Sequence, residues 1–382
     1  MTDNISQQKK GKTNQIKDGH TSNLPYIKGE KSIDRNKSLN GNIENFIGYA
    51  QIPVGLAGPI LIKGIHAQGS FSIPLATTEG ALVASYSRGM KACRLAGGVK
   101  VACVKDLMIR APYFKFDTLS EAMNFSQWAE AHFPAFKTSV ENTSRFCKLI
   151  KIDCHQEGNA VTIFLSFKTG DASGQNMTTI ATDAICRFIL QNSAIQPIQW
   201  YIESNSSGDK KATRRALNQT RGKKIITEVI IPRDLVQKVL KSTPEKMCAY
   251  FLTSTLASIT VGAIGNMGHI ANGLTALYLA CGQDVACAVE SSIGILRMEC
   301  TDNKDLYASL TLPSLVVGTV GGGTGLSTQS EGLKIMDCLG SGKAQKFAEI
   351  CGATALAGEL SIAAAIAEDH FTSAHKHLGR KK

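Results

Sequence analysis

The chain has 382 residues, 43 % of them hydrophobic, with 35 glycines and a formal net charge of +11. That length accommodates two or three domains with a substantial core, and the positive excess favours anionic partners. Only 6 % of residues are aromatic and none interleave with a basic run, which argues against a base-stacking nucleic-acid binder. The 11 scattered cysteines, without a CxxC pair, read as reduced thiols of a cytoplasmic protein.

Residues 1 to about 40 are polar and lysine-rich, without apolar periodicity, and read as a solvated arm with no secretory h-region. From Ile43 to Ile62 glycines and prolines punctuate a loop or short-strand region. "GSFSIPLATT" then reads as a strand and "GALVASYSRGMKACRL" as a helix, with Leu82, Val83, Tyr86, Met90 and Cys93 at helical spacing.

Between about 112 and 201 the texture changes to helix, strand, strand, helix, which fits a compact α+β module. Next, "GKKIITEVIIP" is strand-like. Gly262, Gly265, Gly268 and Gly273 then punctuate helical material, and an alanine-rich helix leads into a histidine-containing tail. The most apolar stretch, Ile259 to Cys281, is interrupted by Asn266, His269 and Asn272, so no membrane span is expected there.

No GxGxxG follows a strand, which leaves an ordinary Rossmann site unsupported. His375 and His377 lack a third ligand nearby, and no metal is expected.

Four polar features remain. Glu79 reads either as a first-turn helix residue, which the macrodipole would keep ionised, or as a proton donor. Lys210 beside Asp209 reads either as an exposed charged turn or as an ammonium presented to a developing oxyanion. Asp284, flanked by apolar sequence, is costly to bury without a partner, although a helix cap also explains it. "KTGDASGQNM" and "VGTVGGGTGLS" offer glycine-rich backbone to phosphate or a flat anionic ligand, or are simply tight turns.

Taken together, "ENFIGYAQIPVGLAGPI", "PLATTEGALVAS", "KTGDASGQNM", "DKK", "ACGQDVA" and "GTVGGGTGL" resemble, in order, the catalytic portion of the 3-hydroxy-3-methylglutaryl-CoA (HMG-CoA) reductases, from about Glu44 to the C-terminus. The match is to the bacterial type without a membrane anchor. The resemblance implies an α+β fold: a large domain around a central helix (41–111 and 202–360), with an inserted ferredoxin-like small domain (112–201). A C-terminal helix and His-containing flap (361–382) would follow, and residues 1–40 would form the arm.

It also implies Glu79, Lys210, Asp284 and His375 as catalytic residues, His375 lying five residues after His370. Substrate-binding positions would be Ser85, Arg88, Lys91, Arg110, Asn205, Asp209, Lys211, His269 and Asn272. Cofactor-binding positions would be Ser144, Arg145, Phe146, Asp171, Ala172, Ser173, Gly174, Gln175, Asn176, Val320, Gly321 and Gly322. Arg145 with Ser144 suits a 2′-phosphate, so NADPH is favoured over NADH. The implied reaction reduces HMG-CoA twice to mevalonate and free CoA. The alternative is an NAD-dependent, mevalonate-oxidising member. The resemblance further implies a homodimer or higher assembly with active sites at the dimer interface, and no nucleic-acid or membrane partner. Asp284 is expected between Lys210 and Glu79, where proximity of the two carboxylates raises the pKa of the pair and the nearby lysine opposes that rise.

Three departures stand out. Polar Ser173 and Gln175 replace apolar residues of the family motif, and Glu203 stands where many animal members carry serine. Leu252 to Thr255 fill a stretch that elsewhere contributes a lysine.

Overall fold

The computed structural model describes residues 23–33, 39 and 41–368. His375, with His370 and His377, lies outside the described residues, as does most of the N-terminal arm.

The chain begins with a hairpin of β1 (Val54–Gly64) and β2 (Gln68–Ala76), then α1 (Leu82–Leu95) and β3 (Val99–Arg110). A second group follows: β4 (Tyr113–Lys115), α2 (Leu119–Ala131), α3 (Phe133–Glu141), β5 (Lys148–Glu157), β6 (Ala160–Lys168), α4 (Gln175–Asn192) and β7 (Gln199–Tyr201). Beyond it come α5 (Arg214–Asn218), β8 (Gly222–Ile231), α6 (Arg233–Leu235), α7 (Pro244–Thr260), α8 (Ile270–Cys281), α9 (Ala288–Ser291), β9 (Ile295–Cys300), β10 (Leu306–Leu315), α10 (Ser327–Ile335) and α11 (Ala344–Ala367).

The region expected to be a punctuated loop or short strand holds the 11-residue strand β1. Ala57, Ile60 and Ile62 face the core while a register shift between Ala57 and Ile60 absorbs the Gly58–Pro59 interruption. Part of the expected solvated arm is also docked. Leu24 is buried, and the backbone N–H groups of Tyr26 and Ile27 donate to the two carboxylate oxygens of Glu331 at 3.0 and 2.8 Å.

Strand β3 ties the molecule together. Its first part pairs with β8 from Lys100 to Leu107, and its end pairs with β6 from Met108 to Arg110. On one side of that strand lies a core built on Phe114, Phe116, Phe125, Phe136 and Phe167. On the other lies a larger core built on α1, α8 and α11 against β1, β2, β8 and β10.

α11 is long and apolar enough to span a bilayer, yet most of its residues are buried among the other elements. It runs unbroken through residue 361, where a segment boundary was expected. Its neighbours approach closely because glycines stand at the crossings. A Cβ on Gly89 of α1 would lie 1.8 Å from the Ala357 carbonyl of α11. One on Gly273 of α8 would meet the Tyr86 hydroxyl at 2.1 Å. Tyr86 fills the space so left and donates to the His269 carbonyl at 2.9 Å.

Candidate active site

The C-terminal end of α8 carries the first half of the site. Gly282 ends the helix in the left-handed region, φ 65°, and leaves no room for a side chain because the Gly323 carbonyl lies 2.2 Å from where a Cβ would stand. The chain turns there, and Asp284 caps the next helical turn by accepting from the Ala286 N–H at 3.1 Å. Its other oxygen, Oδ2, receives the Lys210 ammonium at 3.1 Å and the Gln175 side-chain amide at 2.9 Å. Cap and charge partner are therefore both real. Burial pushes the Asp284 carboxyl up, but the hydrogen bonds from Gln175 and Lys210 outweigh it and hold the group below the ordinary aspartate value. The same contact with Asp284 holds Lys210 above the ordinary lysine value, against partial burial.

Lys210 sits in a strained loop, its own φ being 55°. Charge pairing secures that loop. Asp209 accepts from Arg110 at 2.9 Å through one oxygen and from Arg221 at 2.6 Å through the other. Arg221 reaches on to the fully buried Glu290 at 2.7 Å. Burial raises the Glu290 carboxyl, opposed by Arg221. Lys211 donates to the Asp209 carbonyl at 2.9 Å. Glu203, one of the departures, lies 3.8 Å from Arg110 and accepts weakly from the backbone N–H groups of Ala111 and Ser207. Asn205 is exposed in the same loop, with φ 66°. Asp209, Cys287 and Glu290 could in principle hold a cation, but the Arg221 guanidinium already bridges the two carboxylates.

Beside Asp284 opens a cleft of about 640 Å³. Ala172, Ser173, Gly174, Gln175 and Asn176 form one wall, Val320, Gly321 and Gly322 another, and Ile43, Phe46 and Tyr49 of the loop before β1 contribute further apolar lining. The wall at 172–176 leads into the first turn of the 18-residue helix α4, so unpaired backbone N–H groups and the positive end of a dipole lie at the cleft. Gly321 and Gly322 have φ 74° and 52°, with nothing within 4 Å of where a Cβ would stand, so bare backbone is open to a ligand. The donor set fits an anionic dinucleotide.

Asp171 is not part of this lining. Its carboxylate accepts from the backbone of Gly342 at 2.7 Å and Ala344 at 3.0 Å, securing the start of α11. Ser144, Arg145 and Phe146 lie in the connection between α3 and β5, where Arg145 stacks 4.7 Å over the Phe146 ring, and none of the three lines the cleft.

The remaining candidates gather at the opposite end of α8. Asn272, in its first turn, donates to Glu79 at 3.0 Å. Glu79 is exposed and precedes the Ala81 N-cap of α1, so it is not the first-turn residue that its spacing suggested. Ser85 and Arg88 both engage Ser361 of α11, at 3.0 and 3.1 Å, and Lys91 is exposed on the same helix. The His269 ring stacks on Tyr86 at 5.1 Å and its Nε2 is buried without a hydrogen-bond partner among the described residues. Burial pushes the His269 pKa down to about 4.

Asn272 and Gly282 stand ten positions apart along α8, about 15 Å of helix axis at 1.5 Å per residue. Asp284 therefore does not stand between Lys210 and Glu79 within one chain, and it is held ionised rather than raised. Arg221, Glu290 and Gln283 escaped the sequence reading. Gln283 accepts the Gly318 N–H at 2.8 Å and so fixes one cleft wall. Glu290, in "CAVESSIG", had the same signature that drew attention to Asp284: a carboxylate among apolar and small residues.

Comparison with known proteins adds the family context. The profile of the hydroxymethylglutaryl-coenzyme A reductases matches residues 8–380. A 3-hydroxy-3-methylglutaryl-coenzyme A reductase of Methanocaldococcus jannaschii is 44 % identical over 354 residues, covering 91 % of this chain and 87 % of that protein. One of Pyrococcus abyssi is 42 % identical over 360 residues, covering 92 % and 88 %. Among solved structures, a class II 3-hydroxy-3-methylglutaryl-CoA reductase of Streptococcus pneumoniae, bound to NADPH in open conformations, superposes with a TM-score of 0.71 at 17 % identity, covering 89 % of this chain and 91 % of that one. At that identity the likeness speaks for the fold.

Proposed function

The chain belongs to the hydroxymethylglutaryl-coenzyme A reductase family, and from that premise we propose that it reduces HMG-CoA in two NADPH-dependent steps to mevalonate and free CoA, at a site shared between two copies. The observation that carries this reading is the Lys210–Asp284 pair at 3.1 Å beside the glycine-walled cleft.

The 172–176 and 320–322 walls would hold NADPH, which would supply the two hydride equivalents, and Ser144 and Arg145, outside the cleft lining, would take its 2′-phosphate. Lys210 faces the thioester carbonyl and stabilises the negative charge that develops on its oxygen. Asp284 keeps that ammonium protonated and aimed. Arg110 and Lys211, anchored by Asp209, with Asn205 beside them, hold the hydroxymethylglutaryl end of the substrate. His375 protonates the departing CoA thiolate, and Glu79, oriented by Asn272, gives a proton to the aldehyde oxygen in the second reduction. Ser85, Arg88, Lys91 and His269 lie toward CoA.

The roles of Lys210 and Glu79 fall at opposite ends of α8, so one chain does not bring these two to a single substrate. A second copy placing its Glu79 end against the Lys210 end of the first completes the site. The exposed apolar stripe of Leu252, Leu256, Ile259 and Val261, on and just beyond α7, supports such self-association. The scattered, unpaired cysteines support a cytoplasmic place.

The test is to follow loss of nicotinamide absorbance with HMG-CoA while counting the CoA released. Two cofactors oxidised per CoA support the full reduction. A ratio of one to one, or turnover with NADH far exceeding that with NADPH, overturns it.

A further inference from the structure

Gln175 occupies the first residue of α4, on the cleft wall, and its side chain leaves that wall to reach α8's end. The amide nitrogen lies 2.9 Å from Asp284 Oδ2 and 3.2 Å from the Cys287 sulfur. Both neighbours are acceptors, so the NH₂ end of the amide must face them. The backbone at the same residue is held as well, because Arg110 donates to the Gln175 carbonyl at 3.1 Å.

We propose that Gln175 is a positioning residue for Asp284, its amide holding the carboxylate in line with Lys210 across the junction between the cofactor-facing wall and the end of α8.

Asp284 Oδ2 serves both Lys210 and Gln175, whereas Oδ1 is committed to the Ala286 N–H. With three donors the carboxylate has one orientation, and that orientation sets where the Lys210 ammonium stands. The other charged and titratable groups nearby are the Cys287 thiol and, behind it, Asp209, Arg221 and Glu290. Burial pushes the thiol up, which leaves it a neutral acceptor. A neutral donor at Gln175 stabilises the ionised carboxylate without competing with Lys210 for its role, as a second cation would. Gln175 thus touches both the cleft and the Asp284 carboxylate that pairs with Lys210.

The inference rests on the reductase reading, and its test has a readout independent of turnover. Gln175→Met keeps the length and removes the donor. The Asp284 carboxyl, followed by carbon-13 NMR and assigned with Asp284→Asn, should titrate at higher pH in the variant, and the acid limb of the kcat profile should move up with it. Turnover at neutral pH should fall about tenfold, the usual consequence of removing a hydrogen bond to a charged group, with KM for HMG-CoA within about twofold. Gln175→Asn, which keeps the amide on a shorter stem, should move the titration the same way and serves if the methionine variant does not fold. An unmoved Asp284 titration overturns the proposal, as does unchanged kcat with a raised KM for NADPH, which would make Gln175 a cofactor contact only. Wild-type protein without thioester reduction defeats the reductase reading, and the NMR titration then still decides the role of Gln175.

Discussion

Lys210 and Asp284 meet at 3.1 Å although 73 positions separate them, and the contact joins a strained loop to the end of a buried helix. Each shifts the other toward its charged form: Lys210 is raised and Asp284 lowered, despite partial burial of both. A fixed ammonium beside an anion-accepting cleft is what thioester reduction requires, because the charge that must be stabilised appears on the carbonyl oxygen.

Removal of that ammonium should be the most damaging single change to turnover. Lys210→Ala is expected to lower kcat with HMG-CoA by about 10²–10³, the loss typical of an oxyanion-stabilising donor. Thermal unfolding should stay close to wild type, since the lysine side chain is nearly half exposed. Steady-state rates and a melting curve on the same preparation check both halves.

Arg221 should matter to stability because it is buried between two carboxylates. Its guanidinium is the shared partner of Asp209 and of fully buried Glu290. Arg221→Met strands the fully buried Glu290 carboxylate and leaves Asp209 with Arg110 alone, and breaking a buried pair from one side costs about 3–5 kcal/mol. Urea unfolding should show that loss, with Arg221→Lys recovering only part of it because an ammonium lacks the planar fork. A change below about 0.5 kcal/mol, the range of an ordinary surface substitution, would contradict the bridging role.

The α1–α11 crossing depends on the absence of one methyl group. Gly89→Ala drives a Cβ to 1.8 Å from the Ala357 carbonyl, which is backbone and cannot swing away. The helices must separate, at a cost of about 2–3 kcal/mol or more. Gly325→Ala meets nothing within 4 Å and should remain within about 0.5 kcal/mol of wild type in the same denaturant titration.

His269 should give the protein an acid-sensitive component of stability. Burial lowers its folded pKa to about 4, against an ordinary value near 6.5. Between those values the unfolded chain binds more protons than the folded one, so stability is complete above about pH 6.5 and is lost as pH falls toward 4. The loss at pH 5 is on the order of 2 kcal/mol. His269→Gln should flatten this part of the stability profile, measured by denaturant unfolding at pH 7 and pH 5. An equal acid decline in both proteins would place the effect elsewhere.

Local order was legible where apolar periodicity was clean. The helix read from Gly80 onward is α1, the strand before it is β2, and the glycine-bearing step from β6 into α4 lies where "KTGDASGQNM" put it. β1 was less legible because Gly55, Gly58 and Pro59 mask its alternation, and only the shifted pairing with β2 shows how the strand survives them. Asp284 was conspicuous for a physical reason: a carboxylate among apolar residues needs partners. Nothing in the neighbouring residues named those partners.

Amino-acid order alone thus determined β2, α1, the glycine-bearing step into α4 and the family motifs, because the periodicity of strand and helix depends on residues two to four positions apart that share a strand face or a helix turn. Tertiary packing decided which charges meet. It joined Asp284 to Gln175 and Lys210, and placed Arg221 between Asp209 and Glu290. It also sent Glu79 to Asn272 at the far end of α8. Such pairings depend on the direction in which each buried element carries its side chains, and that direction is set only when the helices and sheet close around one another.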